Sequence, residues 1–197
     1  PDDASPISSP LTNEEALAAH VEVQEWESSG RGGNWQTIHE EEPAVPMLVD
    51  DGTGTVRVDL PSDSGLDLEM TRTKVESDEE PPDHVRQFVE DVPGLDIPDR
   101  QDFGPVSIGE PRRYAEGMIE PGAEVYVLGR AREAPDGAGG LGVVIDEPTP
   151  GGEFILSDKS EADLVREGTV GALIYLVVGG LVTLAGIAAI AIPWISP

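Results

Sequence analysis

The sequence predicts a mainly β fold: a small β-barrel or sandwich of about eight short strands with one inserted helix, followed by one C-terminal transmembrane helix. Three observations predict it. Short runs of alternating apolar and polar residues recur at hairpin spacing, separated by Gly- and Pro-containing turns. A single stretch, PPDHVRQFVEDV, has helical periodicity in the soluble part. From Gly168 to Pro197 the chain carries no charged residue.

Taken in order, the chain opens on Pro1, and PDDASPISSP reads as a linker or the remnant of a segment upstream. Residues 11–165 form the predicted soluble domain. Thr12-Asn-Glu-Glu15 has capping-box spacing and predicts a short helix over EEALAAH. VEVQEW and WQTIHEE, parted by SSGRGGN, predict a first hairpin with a glycine-containing loop. LVDDGTGTVRVDL predicts a second, whose tip uses Asp50, Asp51, Gly52 and Gly54 as turn residues. GLDLEM gives a short alternating run. In PPDHVRQFVEDV, Val85, Phe88, Val89 and Val92 fall at i, i+3, i+4 and i+7, so one apolar stripe is expected, bounded by Pro81-Pro82 and Pro93-Gly94. PGLDIPDRQDFGP reads as a loop. RRYAEGMI, EVYVLGRARE, LGVVID and GGEFILS complete the strands, and Ser160 is placed to cap a short polar helix, SEADLVRE.

The last element is the strongest. Thr169 to Ile192 as a helix spans roughly 36 Å, against about 30 Å of bilayer hydrocarbon. Pro193 ends the span, and Trp194 sits where an interfacial aromatic belongs. The flanks leave its orientation open, because Lys159 and Arg166 are diluted by acids and the far end has no charge.

Acidic residues outnumber basic ones 39 to 12, for a net charge of −27. Such a charge destabilises a compact state by self-repulsion unless salt screens it, which points to a halophilic setting. Cysteine is absent, which removes disulfides, thiol nucleophiles and thiolate metal sites. Nucleic acid is a poor fit as partner: phosphate binding draws on Lys and Arg, and only Arg112-Arg113 and Arg130/Arg132 form basic spots.

No catalytic, cofactor or metal residues stand out. GAGGLG fits GxGxxG, but a strand follows where a dinucleotide site needs a helix. His20, His39 and His84 share no ligand spacing, and His39 beside Glu40, Glu41 and Glu42 reads as a solvated strand rather than a metal site. With 39 acids, no carboxylate pair can be singled out for acid–base work.

Four segments in order carry a resemblance: SPLTNEEALAAHVEVQEW, WQTIHEEEPAVPMLVDDGTGTVRVD, RRYAEGMIEPGAEVYVLGRA and EFILSDKSEADL. Together they resemble the GIDE or BAM ("beside a membrane") domain in its haloarchaeal membrane-protein form, related to mitochondrial RING-type ubiquitin ligases. Its most specific pieces are the Trp35 strand leading into PMLVDDGTGTVRV, with Asp50, Asp51, Gly52 and Gly54, and the run from Glu116 through Pro121 and Gly122 to Gly129. The resemblance implies a domain held against a membrane that recognises a protein partner or substrate, with these motif residues setting the fold. It departs from the ligases in having no cysteine for a RING. The expected function is therefore a membrane-apposed interaction domain with no enzymatic activity of its own. The alternatives are an OB-like nucleic-acid-binding barrel, which needs a basic and aromatic groove on a strand face, or a membrane-bound enzyme, which needs a cleft of convergent acids.

Overall fold

The computed structural model describes residues 5–29, 32–60, 65–96, 101–103, 106–108, 110–134, 142–146, 154–160, 162–164 and 166. The chain divides into two units, Pro1–Asp158 and Lys159–Pro197.

The first unit is mainly β. Its elements are β1 (Ile7–Ser8), β2 (Glu15–Ala16), β3 (Ala18–Ser29), β4 (Gly32–Glu41), β5 (Met47–Asp50), β6 (Thr55–Val58), β7 (Leu66–Asp67) and β8 (Thr71–Val75). Helix α1 (Asp83–Asp91) follows, then β9 (Gln101–Phe103), β10 (Val106–Ile108), β11 (Arg112–Ile119), β12 (Tyr126–Leu128), β13 (Arg130–Glu133), β14 (Val143–Asp146) and β15 (Ile155–Ser157). The principal sheet is antiparallel, in the order β4-β3-β11-β8. A second sheet runs β13-β14-β6-β5 and a third β12-β15-β7, each with one parallel pairing. The pairs β1–β2 and β9–β10 stand as small hairpins.

The two faces of the principal sheet bury different cores. Paired residues of an antiparallel sheet share a face and alternate along each strand. Val21, Val23 and Tyr114 therefore point the same way, and α1 lays Val85, Phe88 and Val89 on them, with Leu11, Val75 and Leu95 closing the cluster. On the opposite face, Ala18 and Ile119 meet Met47, Val58 and Leu156 from the two smaller sheets, with Leu68 and Phe154 from the segments flanking β7 and β15. Among the described residues, the second core covers only the end of that face near Ala18.

Several expectations hold. The β3–β4 and β5–β6 hairpins form as predicted, and β11 is a long strand. The apolar stripe of α1 is buried, with Val92 partly so. In the second unit, residues 162–164 and 166 are helical, and Ser160 Oγ accepts the Asp163 N–H at 3.3 Å, the predicted cap.

Others are corrected. No sheet closes on itself among the described residues, so the closed barrel is not formed; the chain uses several open sheets instead. Fifteen strands appear among the described residues rather than about eight, because several predicted runs are cut into short pairings. EVYVLGRARE is one such run: it breaks at Gly129 into β12 and β13, which join different sheets. QDF within the predicted loop pairs with VSI as β9–β10. EEALAAH is not helical: it holds β2 and the start of β3, parted by Leu17. The Thr12 hydroxyl, which a capping box would turn on its own helix, donates instead to Glu116, and Asn13 turns the chain at φ +62°. Ala16, Ala18 and Ala19 are then fully buried, where small side chains let the layers approach.

The predicted span, with Thr169, Ile192 and Trp194, lies outside the described residues. No helix among those described is long and apolar enough to cross a membrane.

Candidate functional site

The register lays the rest of that face of the principal sheet out as a grid. Across β8, β11, β3 and β4, one row holds Lys74, Arg113, Gln24 and Thr37, and the next Arg72, Ala115, Glu22 and Glu40. Beyond them Trp26 pairs with Trp35. The two indoles meet edge to face, with centroids 5.3 Å apart and planes at 63°. The Arg113 guanidinium lies 3.8 Å over the Trp35 ring. This geometry favours both contacts, the cation–π pair by about 0.5–1 kcal/mol at a solvated site. Trp26 also packs closely on Gly33, where a Cβ would come within 2.6 Å of its ring. The indoles and Arg113 are thus held in place while remaining part-exposed, and Glu22 ties down Gln24 and Thr37 beside them at 2.8 and 2.6 Å.

At the other end of the grid, His20 projects between two carboxylates of β4 and its exit. Its Nε2 lies 3.2 Å from Glu40 Oε1 and its Nδ1 lies 3.3 Å from Glu42 Oε1. His39, the histidine next to those acids in sequence, points to the opposite face, where it packs on Phe88 at 5.8 Å and approaches Glu41 at 3.7 Å.

A cavity of about 410 Å³ opens between β8, the start of α1 and β11, lined by Val75, Tyr114, Arg86, Arg112, Glu76 and Glu110, among others. Arg112 donates from Nε and Nη2 to Glu25, each at 2.7 Å, and from Nη1 to the Asp96 carbonyl. Burial pushes the Tyr114 phenol above its ordinary value, against the pull of the Arg112 hydrogen bond. Glu76, Glu79, Glu80 and Glu110 rim the opening and are all exposed. The rim is a row of solvated acids rather than a buried acid–base pair, so the cavity supports binding better than catalysis.

The motif residues named from sequence do not converge on one site. Trp35 belongs to the aromatic face. Asp51 Oδ1 accepts from the Thr53 hydroxyl and amide and the Gly54 amide at 2.7, 2.9 and 3.1 Å, and these bonds hold its carboxyl below the usual range. Asp50 accepts the Gly52 amide at 2.7 Å, and Gly52 takes the φ of +83° that the turn requires. Pro121 and Gly122 make the turn after β11, closed by Ala123 N–H to the Glu120 carbonyl at 3.1 Å. Gly129 is a close-packing point, since a Cβ there would sit 2.6 Å from Ile145. Glu116 is buried and accepts the Leu11 N–H at 2.8 Å and the Thr12 hydroxyl at 2.6 Å.

Sequence reasoning missed Trp26, Arg113 and the His20 group. A signal for the first was present: counting outward from the glycine loop of the β3–β4 hairpin sets Trp26 opposite Trp35. Arg113 depends on the β11–β3 pairing, which no local pattern announces. A model of the GIDE family, described as E3 ubiquitin ligase, matches residues 18–190. No curated protein and no solved structure matches the chain.

Proposed function

The chain belongs to the GIDE family, and from that premise we propose that residues 11–165 are a membrane-apposed domain that recognises a protein partner or substrate. The 169–192 segment is its anchor, and salt at high concentration is its working medium. The observation that carries recognition is the part-exposed Trp26–Trp35–Arg113 group on the principal sheet. Trp and Arg are the residue types in which binding energy concentrates at protein interfaces. Pre-ordered rings also lose little conformational freedom on docking.

The 197 residues contain no cysteine, so the thiolates of a zinc-binding RING are not among them, and ubiquitin transfer is not assigned to this chain. The aromatic and cationic groups are also those a nucleic-acid face would use. Here Arg72, Lys74 and Arg113 share the face with Glu22 and Glu40 in a chain of net charge −27, which favours a protein partner over a polyphosphate.

The test is site-directed photocrosslinking in native membranes, with the probe at Thr37 on the aromatic face or at Thr53 on the β5–β6 tip. Capture of one defined protein at Thr37 but not Thr53, reduced at least about tenfold by Trp35→Ala, is the expected result. Equal capture at both positions, or capture unaffected by Trp35→Ala, would remove this face from the reading.

A further inference from the structure

We propose that His20, Glu40 and Glu42 form a binding site for a first-row divalent transition cation, with Zn²⁺ as its representative. One ring nitrogen and one oxygen from each carboxylate lie within 4.8 Å of one another. A Zn²⁺ ion with ligand bonds of about 2.0–2.2 Å brings its donors to within about 3–3.6 Å, so small side-chain rotations complete the approach.

The second observation concerns the imidazole itself. The His20 side chain is 20% exposed, yet its Nε2 atom is buried and makes no hydrogen bond, although Glu40 Oε1 is 3.2 Å away. A buried ring nitrogen without a hydrogen bond costs free energy, and a coordinated cation would satisfy it.

The backbone presents these residues together. His20 and Glu22 on β3 share a face with Glu40 and Glu42, while Glu41 and His39 turn to the other side. Beside His20 on the same face, Leu68 and Met70 pack on its β11 partner Gly117, within 2.9 Å of where a Cβ would be. Glu40 is 57% exposed, so the cation would keep water on its outer side. The imidazole decides the class of ion, since Ca²⁺ and Mg²⁺ sites are built from oxygen alone.

The same geometry would also suit a protonated imidazole between two carboxylates, and the experiment separates the two. The full chain in detergent, stripped with a chelator and held near pH 7.5 in about 2 M NaCl with excess Mg²⁺, is titrated calorimetrically with Zn²⁺. One saturable site per chain is expected, weakened at least about tenfold by His20→Gln or Glu42→Gln. Glu40→Gln, at a position exposed enough not to disturb folding, should weaken it at least about fivefold. Glu41→Gln, one residue away but on the opposite face, removes the same charge and should change affinity by less than about twofold. Equal weakening by Glu40→Gln and Glu41→Gln would mean diffuse attraction to an acidic chain and would overturn the site. Absence of saturable binding would leave the ion-paired imidazole as the whole explanation and would overturn it too.

Discussion

Glu116 shows how one residue can matter to a fold without taking part in chemistry. It sits on β11 facing the α1 side, opposite Val21, where a carboxylate would be costly unless its oxygens were satisfied. Leu11 N–H and the Thr12 hydroxyl satisfy them, so the residue fastens the segment before β2 to a strand about a hundred positions away. Glu116→Ala should therefore lower stability by about 2–4 kcal/mol, combining a lost charged hydrogen bond with an orphaned buried amide. Thr12→Val, which removes one donor, should cost about half as much. Urea denaturation measures both, and amide exchange at Leu11 should accelerate in Glu116→Ala. A loss under about 0.5 kcal/mol would show the latch to be incidental. The motif was visible in the sequence, and so was SPLT, but not their meeting. Nothing local in RRYAEGMI says which side of the strand Glu116 takes or what waits there. The same holds for His20: strand alternation separates it from its chain neighbours and joins it to acids twenty positions on.

Elements with a strong internal period were the legible ones. The α1 stripe was readable because the 3.6-residue repeat is fixed by helix geometry alone, and Val85, Phe88 and Val89 are buried as that repeat requires. What α1 covers was not readable, since its platform is the pairing of β3 with β11, set by contacts remote in sequence. EEALAAH shows the opposite failure. Its alanines and glutamates favour a helix locally, but burial of Ala16, Ala18 and Ala19 against the sheets outweighs propensities worth only tenths of a kcal/mol each. If α1 is held by packing rather than by its own propensity, its two faces should respond very differently. Phe88→Ala should cost about 3–5 kcal/mol, as a buried aromatic replaced by a cavity. Glu90→Ala, on the exposed side, should stay within about 0.5 kcal/mol despite improving helix propensity. Comparable effects from the two substitutions, measured as shifts in urea midpoint at constant slope, would contradict the assignment.

Across the whole molecule, charge outweighs any single contact. With 39 acids against 12 bases, the cations can offset only a minority of the carboxylates, and the remaining repulsion acts on the compact state more than on the expanded chain. Ion pairs offset little of it: Arg86–Asp83 at 3.0 Å is exposed, and such pairs contribute about 0–1 kcal/mol each. Added salt should therefore stabilise the protein. The midpoint of thermal unfolding should rise by at least about 10 °C between about 0.1 and 1 M NaCl, equivalent to about 3–5 kcal/mol for a domain of this size. The shape of the rise identifies its cause. Screening acts as the Debye length contracts from about 10 to 3 Å, so most of the gain should come below about 1 M and then level off. A gain that instead climbs steadily with concentration, and is reproduced by an uncharged osmolyte, would belong to exclusion of solute from the protein surface. In that event −27 would be a tolerated surface composition, and the high-salt setting would lose its physical basis.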